Sequence, residues 1–105
     1  MANPYRGEVE AVIDGAPATL RLTLGALAEL EATLAAEGLV DLAERFDRGA
    51  MRATDVISVL TAGLRGGGRM VSRDEVACMS VEGGAVGAAR LASRLLAVAF
   101  TGAAT

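Results

Sequence analysis

The chain has 105 residues, 13 acidic side chains against 10 basic ones and no histidine, for a net charge of −3. That length supports one domain with one modest core. The charge balance argues against a nucleic-acid surface, which needs a basic stripe to displace counterions, and the missing imidazole removes the commonest general base and metal ligand.

Every basic residue is arginine, so no lysine amine is present as a substitute base. Alanine inflates the hydrophobic fraction of 52%. The apolar runs fall well short of the ~20 residues that span a bilayer, and no membrane segment is expected. Pro4, Arg6 and Glu8 interrupt the start of the chain, where a secretory signal would need an apolar stretch, so no signal peptide is expected. Cys78 is the sole cysteine, which excludes an internal disulfide and fits a cytoplasmic chain. It falls in a helical pattern and is expected to be a small packing residue.

Taken in order, Met1–Arg6 reads as a loose lead-in. Gly7–Ile13 and Ala18–Thr23 read as two strands around Asp14-Gly15, a strong hairpin signal, with Pro17 on the turn side. Leu20, Leu22 and Leu24 alternate with Thr19, Arg21 and Thr23, so one hairpin face is apolar and must lie on something else. Thr23 is placed to cap a helix over Leu24–Ala36, with Leu27, Leu30 and Leu34 inward and Gly38 ending it. A short helix over Leu39–Arg48 turns Leu39, Leu42 and Phe46 inward. A linker, Ala50–Ala53, leads to the central element.

That element, Thr54–Gly68, carries Val56, Ile57, Leu60 and Leu64 at helical spacing and stops at Gly66-Gly67-Gly68. The three glycines read as a joint, or hinge, before the last two helices. Ser72-Arg73-Asp74-Glu75 is a capping box with Val71 and Val76 at staple positions, opening a helix over Arg73–Val81. The last helix, Ala85–Phe100, carries Val86, Leu91, Leu95 and Val98 on its apolar side, and Gly102–Thr105 is expected to fray. The fold class is therefore α+β: an N-terminal antiparallel β-hairpin (7–23) packed on a helical part (24–100) of four to five short α-helices, in a single domain.

Charge is uneven along the chain. Glu29, Glu31, Glu37, Asp41, Glu44 and Asp47 crowd one stretch, whereas past Gly83 the charged residues are Arg90 and Arg94. These read as solvated faces, or as acidic and basic faces that meet different neighbours or copies of the same protein.

Candidate chemistry is sparse. The carboxylate pairs Glu8/Glu10 and Asp74/Glu75 have simpler roles as a solvated strand face and a helix N-terminal charge. Gly66–Gly68 follows a helix rather than preceding one, the wrong order for a phosphate loop. Aspartates are not at calcium-loop spacing. No catalytic residue, cofactor or metal is expected.

Three segments together carry a family resemblance. They are Pro4-Tyr5-Arg6-Gly7-Glu8-Val9, the run Leu22-Thr23-Leu24-Gly25-Ala26-Leu27-Ala28-Glu29-Leu30-Glu31, and Ala62-Gly63-Leu64-Arg65-Gly66-Gly67-Gly68. The chain resembles the gene transfer agent family, encoded among phage-like tail genes of alphaproteobacteria, classed with phage tail assembly chaperones and also described as a tail tube protein. The likeness runs from Asn3 to about Gly84 and loosely beyond. It implies a non-enzymatic role: a tail assembly chaperone that binds the tape-measure protein, with a structural tail component, a tube or connector subunit, as the alternative. The partner would be that protein or another tail protein, with self-association left open. The location would be the cytoplasm or a phage-like particle. Leu91, Leu95, Val98, Arg90 and Arg94 on the last helix are the candidate partner-binding residues. Gly66, Gly67 and Gly68 are the candidate hinge that lets this helix swing from a groove.

Overall fold

The hairpin is set by its turn. Asp14 and Gly15 both have positive φ, 53° and 78°, the type I′ geometry whose twist suits the flanking strands. A computed structural model describes residues 7–49 and 51–101. The expected lead-in at 1–6, Ala50 of the expected linker and the tail at 102–105 lie outside the described residues. Strands β1 (Glu8–Ile13) and β2 (Ala16–Arg21) pair antiparallel, with Ile13 opposite Ala16 and Glu8 opposite Arg21.

The second strand thus starts two residues before the expected Ala18 and ends at Arg21, and Pro17 lies inside it, opposite Val12. Pair types alternate in an antiparallel ladder. The Ile13–Ala16 pair beside the turn is hydrogen-bonded, so the next pair points its N–H groups outward and proline loses no ladder bond.

Both outer edges of this small ribbon are occupied. On the β1 side, Asp14 N–H donates to the Ser80 carbonyl (2.8 Å) and Glu82 N–H donates to the Val12 carbonyl (3.0 Å), with a bridge between Ile13 and Val81. On the β2 side, the end of helix α3 (Ala53–Gly66) lies against the Thr19 and Arg21 carbonyls. The apolar face of the ribbon, Val9, Ile13 and Leu20, is buried.

Helix α1 (Leu24–Thr33) is capped by Thr23, whose Oγ1 accepts from Ala26 N–H at 3.1 Å. It stops three residues before the expected Ala36, because Ala35 adopts φ +52°. Ala36 N–H then returns to the Glu31 carbonyl (2.8 Å) in a Schellman-type end built on alanine rather than glycine. Arg45 of α2 (Leu39–Asp47) completes that end: its guanidinium donates to the Leu34 carbonyl (2.5 Å) and the Ala35 carbonyl (3.0 Å). Asp41 steadies the arginine at 3.3 Å. Gly38, expected to end the first helix, caps the start of the second.

α3 is the centre of the molecule and touches β2, α1, α4 and α5. Leu60 and Leu64 of its expected apolar face are buried, while Val56 and Ile57 are half-buried. Val59, Ser58, Thr61 and Gly63 are buried as well, so neighbours surround more of this helix than one stripe predicts. The two buried hydroxyls satisfy themselves on their own helix: Ser58 Oγ donates to the Thr54 carbonyl (3.0 Å) and Thr61 Oγ1 to the Ile57 carbonyl (2.6 Å). Arg69 N–H closes the end by donating to the Leu64 carbonyl (2.9 Å) around Gly68 at φ +101°.

α4 (Arg73–Ala77) opens on the expected box: Glu75 N–H donates to Ser72 Oγ (3.1 Å) and Ser72 N–H to Glu75 Oε1 (3.0 Å). It ends at Ala77 rather than Val81, since Ser80–Glu82 must leave the helix to pair with β1. Cys78, at the C-cap, is consequently exposed and not a packing residue. α5 (Gly84–Thr101) is the longest element and lays Leu91, Ala92, Leu95 and Leu96 into the core. The architecture is α+β, one hairpin against five helices.

Candidate functional site

α5 has two faces of opposite character. Its inner stripe, Leu91, Leu95 and Val98, is buried in the hydrophobic core, so these three candidate contact residues hold the monomer together. Arg90 and Arg94, from the same candidate set, are exposed on the other side. Beside them runs a row of small residues four apart, Ala85, Ala89, Ser93 and Ala97. Periodicity alone reads such alanines as core; here they wall an open groove.

That groove lies between α5 and α2, has a volume of about 720 Å³, and is floored by Phe46 and Met51. Asp47 stands on its α2 side. Asp47 is exposed, as are Val40 and Glu44 on the preceding turns of α2. Val40 is 73% exposed and Val86, on the α5 side, 63%. Across the groove, Asp47 on the α2 side faces a wall that carries Val86, Arg90 and Arg94 on α5.

A second hollow of about 380 Å³ lies on the far side of the arginines, between β1 and the start of α5. Arg90 and Arg94 border both spaces and form the ridge between them. Glu10 and Glu82 line the second hollow, and neither arginine side chain forms an ion pair or hydrogen bond among the described residues.

Gly66 and Gly67, two of the candidate hinge residues, sit in close contact. A Cβ on Gly66 would meet the Arg21 carbonyl oxygen at 1.9 Å, and one on Gly67 the Thr19 oxygen at 2.0 Å. Gly68 has open space around it and supplies the left-handed turn. Gly66 and Gly67 thus let the end of α3 rest on a strand edge.

Nothing in the groove resembles a reaction centre. Its charges stand on the rims and its walls are methyl groups, a hydroxyl, a phenyl ring and a thioether. Among the described residues no group of three or more Cys, Asp or Glu comes together as metal ligands, and no helix is long and apolar enough to cross a membrane.

Residues 6–102 match the family described as phage tail tube protein, GTA-gp10. The chain belongs to that family. Searches of curated proteins and of solved structures returned no match. A phage tail family implies protein–protein contacts within a particle. The resemblance read from the Leu22–Glu31 and Ala62–Gly68 motifs thus agrees with the family, whose match also extends through the last helix.

Proposed function

We propose that this chain is a structural subunit of a phage-like tail, in its tube or at a tube connection, and works by protein contact within the particle. The observation that carries this is the match of 6–102 to a tail tube family, which spans nearly the whole chain. The open α2–α5 groove supports it, since contact surfaces expose apolar area that a solitary domain would cover.

One observation favours a second reading. The wall of small residues on α5 lets another helix approach closely, which suits a tail assembly chaperone that holds a helical tape-measure protein before the tube forms. The two readings differ in where the chain ends up. Quantitative mass spectrometry of purified particles separates them. A subunit is retained in fixed ratio to other tail proteins; a chaperone is found in the cytoplasm, bound to its client, and missing from finished particles.

A further inference from the structure

We infer that the outer edge of β1 at Glu10, facing the arginines of α5, is a docking site for an extended segment of a different polypeptide, which adds to the hairpin as a further strand. This surface is separate from the α2–α5 groove, and the inference stands whichever tail role holds.

The backbone makes the argument. In an antiparallel ladder alternate residues turn their N–H and carbonyl groups outward. On β2 the Thr19 carbonyl meets the end of α3, so Glu10, its partner in register, faces the opposite edge. Val12 faces that edge too, since its carbonyl accepts from Glu82 N–H at 3.0 Å. There the chain's own coverage ends: Gly83 and Gly84, with φ of 88° and 67°, turn it off the edge and into α5. The N–H and carbonyl of Glu10 have no hydrogen-bond partner among the described residues. Ser80–Glu82 demonstrates that this edge accepts an added segment in antiparallel pairing, and Glu10 offers the next donor and acceptor along it.

The space beside Glu10 fits such a segment. The hollow of about 380 Å³ runs from Glu10 and Val12 to Glu82, Arg90 and Arg94. These four charged residues are exposed, and both signs line one space with no ion pair between them. A nucleic acid or an anionic membrane would meet the two carboxylates, whereas a peptide backbone is uncharged and brings side chains of either sign. Side chains alternate between the faces of a strand. On β1, Glu10 lies on the exposed face and Val9 on the buried one. An added strand therefore sets one side chain beside Glu10 and the next toward α5, where the arginines stand. The segment that matches carries basic and acidic residues in alternation.

A random heptapeptide library on beads, screened with the full chain, tests this. The expected binders alternate basic and acidic residues, and the tightest of them slows hydrogen exchange of the Glu10 amide by NMR. Glu10→Pro removes the outward N–H without losing a ladder bond, as Pro17 does on β2, and should weaken that peptide by at least about tenfold with the circular-dichroism spectrum unchanged. Methylating the amides along one edge of the peptide should weaken its binding to the unaltered chain equally, a check that holds even where Glu10→Pro fails to fold. R90E with R94E should turn selection at the acidic peptide positions toward basic residues. E29R with E37R, outside the hollow, should leave binding intact. Absence of binders overturns the inference, as does binding that neither backbone change weakens, or that leaves exchange at Glu10 unaltered. Protection of Glu10 that rises with protein concentration in the absence of peptide assigns the edge to a second copy and overturns it too. None of these results bears on particle composition, which decides the tail role.

Discussion

Any side-chain carbon on Gly66 would stand 1.9 Å from the carbonyl oxygen of Arg21. The obstacle is backbone on both sides, so it cannot be relieved by turning a flexible side chain. Gly67 repeats the relationship with Thr19 at 2.0 Å. Through these two contacts the end of the central helix covers the β2 edge that would otherwise be bare, and the hairpin becomes part of the core.

Gly66→Ala and Gly67→Ala should therefore each destabilise the protein by roughly 2–3 kcal/mol, in the range of an overpacked core. Gly25→Ala is the control: it lies in the first turn of α1 with only Thr23 Oγ1 nearby, at 3.9 Å. It should be neutral or stabilising by up to about 1 kcal/mol. Urea unfolding monitored by circular dichroism reads all three. Equal stability across the set would mean the helix end does not press on the strand.

Ala35 holds a left-handed conformation, φ +52°, at the end of α1. An L-residue pays about 1–2 kcal/mol for that geometry, and glycine gives back part of the gain through its freer unfolded chain. Ala35→Gly should raise stability by about 0.5–1 kcal/mol, visible as a higher urea midpoint with an unchanged slope. A lower midpoint would show that the α1 end is not as described.

The structure also bears on whether the last helix swings. Leu91, Ala92, Leu95 and Leu96 are all buried, and α5 packs on α3, α2 and the hairpin. Native-state hydrogen exchange should find the amides of Leu91–Leu96 protected about as well as those of Val59–Leu64 in α3. Much faster exchange in α5 would favour motion about Gly66–Gly68 instead.

Features written in local chemistry were legible in the sequence. Asp14-Gly15 specified its turn, Thr23 and Ser72 specified helix starts, and the leucines of α1 and α3 marked the core. Features decided by distant partners were not. Nothing near Ala77 says that α4 must stop so that Ser80–Glu82 can pair with β1. Nothing near Ala35 says that an alanine will take a position usually given to glycine, helped by Arg45 from the next helix. The glycine run looked like a joint because its neighbours in space, Thr19 and Arg21, are more than forty residues away in sequence. The groove was hidden for another reason. Ala85, Ala89, Ser93 and Ala97 are small enough to suit core or surface, so only the position of α2 reveals that they line an open trough.

The proposed role in a tail depends on contacts made through this trough. The most direct test replaces Ala89 with arginine, on the groove wall and outside the buried core, and examines particles from cells whose only copy carries the change. The expected result is a folded chain, with circular dichroism and thermal midpoint close to the parent, and particles that lack normal tails by electron microscopy. Normally tailed particles from cells making the folded Ala89→Arg chain would contradict it.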